Sequence, residues 1–112
     1  MDNELYILWT NDNPMTAHKM VFMYGHNGLL KGWWEKVTVI IWGATSKLTA
    51  ENGEIREKIS AMMNDGVKFS ACKACADQLG VTENLEALGI EVKYWGEPLT
   101  ALIKEKKNLL TV

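Results

Sequence analysis

Residues 37–42, VTVIIW, hold five apolar side chains in six positions. A strand with one wet face alternates apolar and polar residues, so this run predicts a strand covered on both faces. Continuous burial of that kind belongs to a parallel sheet with helices on both sides, whereas an open antiparallel sheet would show cleaner alternation. Three other short runs, 4–9 (ELYILW), 67–71 (VKFSA) and 91–95 (EVKYW), share the enrichment in aromatic and β-branched residues. They read as strands beside 36–42, and 108–112 (NLLTV) adds a short last one.

The intervening segments have helical period. A helix is predicted from residue 14 or 16 to about 30, with Ala17, Val21, Gly28 and Leu29 on one side; Gly25 and Gly28 weaken it but let it lie close to the sheet. Ile55, Ile59, Met62 and Met63 fall at i, i+4, i+7 and i+8, and that helix stops at Asn64-Asp65-Gly66. A short helix over 73–79 is closed by Gly80, Thr82 is placed to cap another ending at Gly89, and Pro98 suits the first turn of a last one through Leu99, Leu102 and Ile103. The β-α-β-α order predicts an α/β fold, a three-layer α/β/α sandwich on a mostly parallel five-stranded sheet with right-handed crossovers. At 112 residues the chain has room for one core, so residues 1–112 read as a single domain.

A net charge of -2 with 23% charged residues gives no electrostatic bias toward nucleic acid or a membrane surface. No apolar stretch approaches the roughly 18 residues that cross a bilayer, and the start MDNELYIL lacks the basic region and cleavage site of a signal peptide. A cytoplasmic protein is expected. In a reducing compartment, two cysteines three residues apart point to reactivity, redox chemistry or metal binding before a structural staple.

Ligands of such folds collect beyond the carboxyl ends of the strands. The residues expected there are Trp9-Thr10-Asn11-Asp12, Trp42-Gly43-Ala44-Thr45, Ala71-Cys72-Lys73 and Trp95-Gly96-Glu97. Three strands end in tryptophan and one at a thiol, so parallel strands would crowd Trp9, Trp42, Trp95 and Cys72 onto one rim. Two readings stand. The aromatics cap the sheet and fill a subunit interface, or they form an apolar vestibule, with Asn11, Gly43, Lys73 and Gly96 around it, that shields a reactive sulfur.

Cys72 falls at the start of a helix, where free N–H groups and the macrodipole favour an anion. The dipole contributes about 0.3–1 kcal/mol, too little alone to ionise most of a thiol at neutral pH. Direct N–H contacts and Lys73 would have to supply the rest. Cys75 lies one turn on, with Cβ atoms at that spacing about 5–6 Å apart. A disulfide wants about 3.5–4.5 Å and would distort the turn. Cys75 therefore reads either as a small buried hydrophobe or as a resolving or redox partner. Zinc would need more ligands than His18 and His26 supply at this spacing, so no metal is assigned. No GxGxxG or P-loop follows a strand, and no nucleotide or other organic cofactor is implied. Asp12 fits an Asx turn into Pro14.

The stretch 66–92, GVKFSACKACADQLGVTENLEALGIEV, resembles the DsrE/DsrF-like family of small sulfur-relay and related proteins, in which a strand ends at a cysteine that begins a short helix. Residues 36–43 followed by 54–66 look like the family's second strand and helix. The resemblance implies a small α/β/α domain assembled as a homo-oligomer, a trimer or hexamer. It further implies that Cys72 holds sulfur as a persulfide passed between sulfur donor and acceptor proteins or small persulfides. Cys75 departs from the single-cysteine pattern, and the tryptophan-rich rim is unlike a generic member.

Three functions compete: a sulfur carrier on Cys72, a thiol-disulfide redox protein using Cys72 and Cys75, and a non-catalytic oligomeric binding subunit with inert thiols. For the second, CxxC here follows the third strand and not the first, unlike the usual thioredoxin-like context.

Overall fold

The run 37–42 lies where its composition demands, in the middle of the sheet. The structure is a computed structural model describing residues 3–112. Its strands are β1 Glu4–Trp9, β2 Lys36–Ile41, β3 Lys68–Cys72, β4 Glu91–Lys93 and β5 Asn108–Thr111. They form one sheet in the order β4-β3-β2-β1-β5, and every pairing is parallel. The helices are α1 over residues 14–30, α2 Ala44–Glu51, α3 Gly53–Asn64, α4 Lys73–Leu79, α5 Thr82–Ala87 and α6 Gly96–Lys104.

Strand parity divides the side chains into two unequal cores. Leu5, Ile7 and Trp9 of β1, Val37, Val39 and Ile41 of β2, and Phe69 and Ala71 of β3 face one side, where they meet Ala17, Val21 and Phe22 of α1, Ile55, Ile59 and Met62 of α3, Ala76 of α4 and Leu85 of α5. The alternate residues Tyr6, Leu8, Ile40 and Cys72 face the other side and meet Leu99 and Leu102 of α6. Topology explains the imbalance. The chain steps from β1 to β4 in one direction, so right-handed crossovers stack their helices on one face; the return from β4 to β5 runs the other way and puts α6 on the opposite face. A three-layer sandwich results, thick on one side and one helix deep on the other. Beside α6 the thin side stays open as a groove of about 450 Å³ whose lining includes Tyr6, Thr38, Lys68, Lys93 and Trp95.

Local chemistry sets the element ends. The Asn13 side chain accepts from Met15 N–H at 2.9 Å and Thr16 N–H at 3.1 Å, which starts α1. Asn11 Oδ1 accepts from Asn13 N–H at 2.9 Å, so Asn11, and not Asp12, makes the Asx turn. The middle of α1, Ala17–Phe22, is wound as a π-helix that buries Ala17, Val21 and Phe22. A Cβ on Gly25 would stand 3.3 Å from Ile7 Cδ1, and one on Gly28 would stand 3.1 Å from Trp34 Cδ1, so these glycines do permit close packing. Thr82 begins α5 but does not cap it; Val81 holds that position and the Thr82 hydroxyl donates to Asp77. Trp42 and Trp95 lie just past their strands, and β3 runs one residue further than expected, through Cys72.

Helix α2 is the element the sequence pattern does not announce. Its buried residues are Thr45, Ser46, Thr49 and Ala50, a hydroxyl-rich face with little hydrophobic period to read. The helix is tied down by Thr45, whose hydroxyl donates to Trp9 C=O at 2.8 Å and accepts from Trp42 N–H at 3.1 Å. That side chain joins the ends of β1 and β2 and fixes where Gly43 lies. The strand order reverses between β1 and β5, the usual place for a ligand crevice. Here Thr10 N–H and Asn11 N–H donate to Val112 C=O at 2.7 and 3.3 Å, and Val112 N–H donates to Leu8 C=O at 2.9 Å. Backbone closes that crevice. Replacing Thr45 by Val keeps the shape and removes both hydrogen bonds, so urea unfolding should show a loss of about 1–3 kcal/mol with an unchanged m-value; an unchanged midpoint would show that this hydroxyl ties nothing together.

Candidate functional site

Phe69 and Ala71 point to the thick side of the sheet, so parity sends Ser70 and Cys72 to the thin side. Cys72 is both the last residue of β3 and the N-cap of α4, with extended backbone at φ -71° and ψ 117°. Its register partner is Lys93 on β4. Cys72 shares a small apolar cluster with Ile40 and Trp95, against which Trp42, Cys75, Leu8 and Leu99 pack. Cys72 is 4% exposed, Cys75 is half-buried, and both are free thiols.

Trp95, 5% exposed, covers this cluster on the groove side and is held in three ways. Its Nε1–H donates to Ser70 Oγ at 2.8 Å, the Ser70 hydroxyl donates to Glu91 Oε1 at 2.9 Å, and the Lys93 ammonium lies 4.6 Å from the indole centroid. Burial pushes the Glu91 carboxyl up, but the Ser70 hydroxyl and the Lys93 and Lys68 charges outweigh it and hold Glu91 below the usual carboxylate range.

Cys75 packs against the cluster that contains Cys72. Burial raises the Cys75 pKa above its ordinary value, the backbone N–H of Gly43 lowers it, and the neighbouring Cys72 raises it again, with a net rise. Gly43 is the N-cap of α2 with φ +71°, a conformation open to glycine and strained for other residues. An added Cβ there would meet nothing within 4 Å, so conformation and not space dictates the glycine. The backbone donor next to the thiols thus comes from α2, and not from the helix that the cysteines themselves begin.

Of the residues expected at one rim, the structure brings Trp42, Gly43, Cys72, Cys75 and Trp95 together. Trp9 does not join them. It points to the opposite face, fully buried, with its ring 5.2 Å from Phe22 and its Nε1–H donating to Asn11 C=O at 3.0 Å. Parallel strands bring backbone ends to one edge, but a side chain's face follows from register, which sequence alone does not supply. Asn11 is exposed in the turn before α1, and Gly96 is exposed at the start of α6, where its C=O accepts from Thr100 at 2.8 Å. Lys73 turns away from the thiols to Asp77 at 3.0 Å and lies 5.9 Å from the Tyr94 ring. Asp77 raises the Lys73 pKa, and the Thr82 hydroxyl and Lys73 lower that of Asp77. The histidines serve elsewhere: His18 stacks edge-on against Phe22, and His26 bridges Asp65 at 2.7 Å and Lys58 at 3.0 Å. The Ser70–Trp95 hold was not foreseen, although Ser70 and Cys72, two apart in one strand, had to share a face.

The model of the DsrE/DsrF-like family matches residues 10–112. A conserved protein of unknown function from Bacteroides thetaiotaomicron superposes with a TM-score of 0.96 at 37% identity, over 98% of this chain and 95% of that one. A protein of unknown function from Methanobacterium thermoautotrophicum gives a TM-score of 0.79 at 16% identity, over 99% of this chain and 100% of that one, and at that identity it shows the fold alone. No curated protein matches the sequence. Among the described residues no helix is long and apolar enough to cross a membrane.

Exposure orders the reactivity of the thiols, and the raised pKa of Cys75 sets its pH dependence. Iodoacetamide followed by peptide mapping should label Cys75 before Cys72, with Cys75 labelling still rising from about pH 7 to beyond about pH 9, where a free thiol is levelling off. Trp95→Ala should bring Cys72 labelling forward; Cys72 reacting first in the unmodified protein would contradict the cover.

Proposed function

Because this chain belongs to the DsrE/DsrF-like family, we propose that it is a sulfur-relay protein that carries sulfane sulfur as a persulfide on Cys72. The observation supporting this is the placement of that thiol at the carboxyl end of β3, in one apolar cluster with a second free thiol and with a tryptophan that is hydrogen-bonded in place. In the net reaction the outer sulfur of a donor persulfide R–S–SH becomes bonded to Cys72 Sγ. The donor's S–S bond breaks, and R–SH leaves with the proton that Cys72 gives up. An acceptor thiol then attacks that outer sulfur, breaks its bond to Sγ and gives up its proton to Cys72, which returns to the thiol. One S–S bond is exchanged for another at each step, so no oxidant, reductant or organic cofactor takes part. The protein's contribution is shelter: a sulfur beneath Trp95 is withheld from stray thiols until an acceptor reaches it. The donor and acceptor are persulfide- and thiol-bearing molecules.

A second reading, a dithiol-disulfide couple between Cys72 and Cys75, is favoured by the two free thiols sharing one cluster. A reversible two-electron couple in a redox titration, with no sulfur retained after persulfide treatment, would select it. For the carrier, intact-mass analysis after treatment with a small persulfide and desalting into competing thiol should show one added sulfur on the unmodified protein. Cys72→Ser should retain less than about a tenth as much. Equal retention by Cys72→Ser would remove Cys72 from the role.

A further inference from the structure

We infer that Cys75 is the receiving thiol of the pair: sulfane sulfur arrives on Cys75 and is handed inward to Cys72. This rests on Cys72 being the carrier, and it assigns the second cysteine a place in the reaction.

The starting observation is a mismatch between position and access. Displacement at sulfur needs the nucleophile, the attacked sulfur and the leaving sulfur nearly in line, so a donor must approach with its S–S bond pointing at the thiol. Cys72 is 4% exposed. It shares a buried cluster with Ile40 and with Trp95, which lines the groove and is held by Ser70, Glu91 and Lys93; Leu99 and Leu102 of α6 pack against that cluster. No donor of ordinary size reaches that sulfur while those contacts stand. Cys75 packs against the same cluster but is half-buried, so part of it faces solvent.

Two further features suit Cys75 to receive sulfur. It packs against the cluster that contains Cys72, so a persulfide on Cys75 adjoins the inner thiol. The backbone N–H of Gly43 at the start of α2 lowers the Cys75 pKa, which helps to hold charge on the sulfur while it attacks. Burial and the neighbouring thiol oppose ionisation and leave only a fraction of Cys75 as thiolate at neutral pH, but a thiol of higher pKa is also the stronger nucleophile once ionised. The rate of loading should therefore climb with pH.

The steps balance. Cys75 thiolate attacks the outer sulfur of R–S–SH; the Cys75 Sγ–S bond forms, the donor's S–S bond breaks and the donor thiolate leaves. Cys72 then attacks that same outer sulfur. Its Sγ–S bond forms as the Cys75 Sγ–S bond breaks, and the proton of Cys72 passes to the neighbouring Cys75 sulfur. One sulfur atom moves inward between two residues of one side-chain cluster, and the second step has the advantage of an intramolecular reaction. The result is a sulfur that enters where solvent reaches and rests where it does not.

The experiment is a time course of the unmodified protein with a small persulfide, quenched with an alkylating agent and mapped by peptide mass. Sulfur on Cys75 should appear first and decline as sulfur on Cys72 grows. Cys75→Ser, checked for native unfolding cooperativity, should load Cys72 at least about tenfold more slowly, and in Cys72→Ser the sulfur should remain on Cys75 and be stripped by added thiol. Cys72 acquiring sulfur with no earlier Cys75 species, at the same rate in Cys75→Ser, would overturn the inference and leave Cys72 as carrier. Sulfur on neither residue would overturn both.

Discussion

A strand buried on both faces has to be covered on both, and β2, in the middle of the sheet, has every residue after Lys36 buried. This requirement shapes the rest of the chain. One face is covered generously by the crossover helices between β1 and β4; the other is left to α6, the single helix of the return connection. A layer one helix deep cannot close the whole face. It buries Ile40, Cys72 and Trp95 and leaves the strand starts around Tyr6, Thr38 and Lys68 as an open groove. The thiols therefore lie at the thin margin of the molecule, inside a small core whose cover is a few side chains and not a full helical layer.

The chemistry of the site is a balance between concealment and ionisation. Burial disfavours a thiolate on Cys75, whose pKa is raised. The opposing influence is a backbone N–H placed by Gly43, whose left-handed conformation turns the chain from β2 into α2, and by Thr45, whose hydroxyl binds the ends of two strands. A backbone donor is a good choice here because it needs no further charge to be buried. Lys73, the nearby cation in sequence, is engaged by Asp77 and gives the thiols no such help.

Much of this fold was legible in the chain before its structure. The apolar run 37–42 gave a doubly covered strand, the i, i+4, i+7 spacing of Ile55, Ile59 and Met62 gave α3, and the strand-cysteine-helix order around Cys72 suggested both the family and the edge of the sheet. Helix α2 was hidden because its buried face is built from threonine and serine, which carry no hydrophobic period. The site was legible only in part, for a reason of geometry: sequence parity says which residues of one strand share a face, but the match between strands depends on register. Trp9 was therefore grouped with Trp42 and Trp95 at one rim, although it points into the thick core beside Phe22. Ser70 escaped notice as the polar anchor of Trp95 because its partner lies 25 residues away, beyond any local pattern.

If one sulfur atom rests on Cys72 beside Trp95, a crystal structure of the persulfide-treated protein will show it. Density is expected for a single added atom bonded to Cys72 Sγ, with the indole still hydrogen-bonded to Ser70. An unmodified Cys72 in fully treated crystals, with the added atom on Cys75 alone or nowhere, would contradict it.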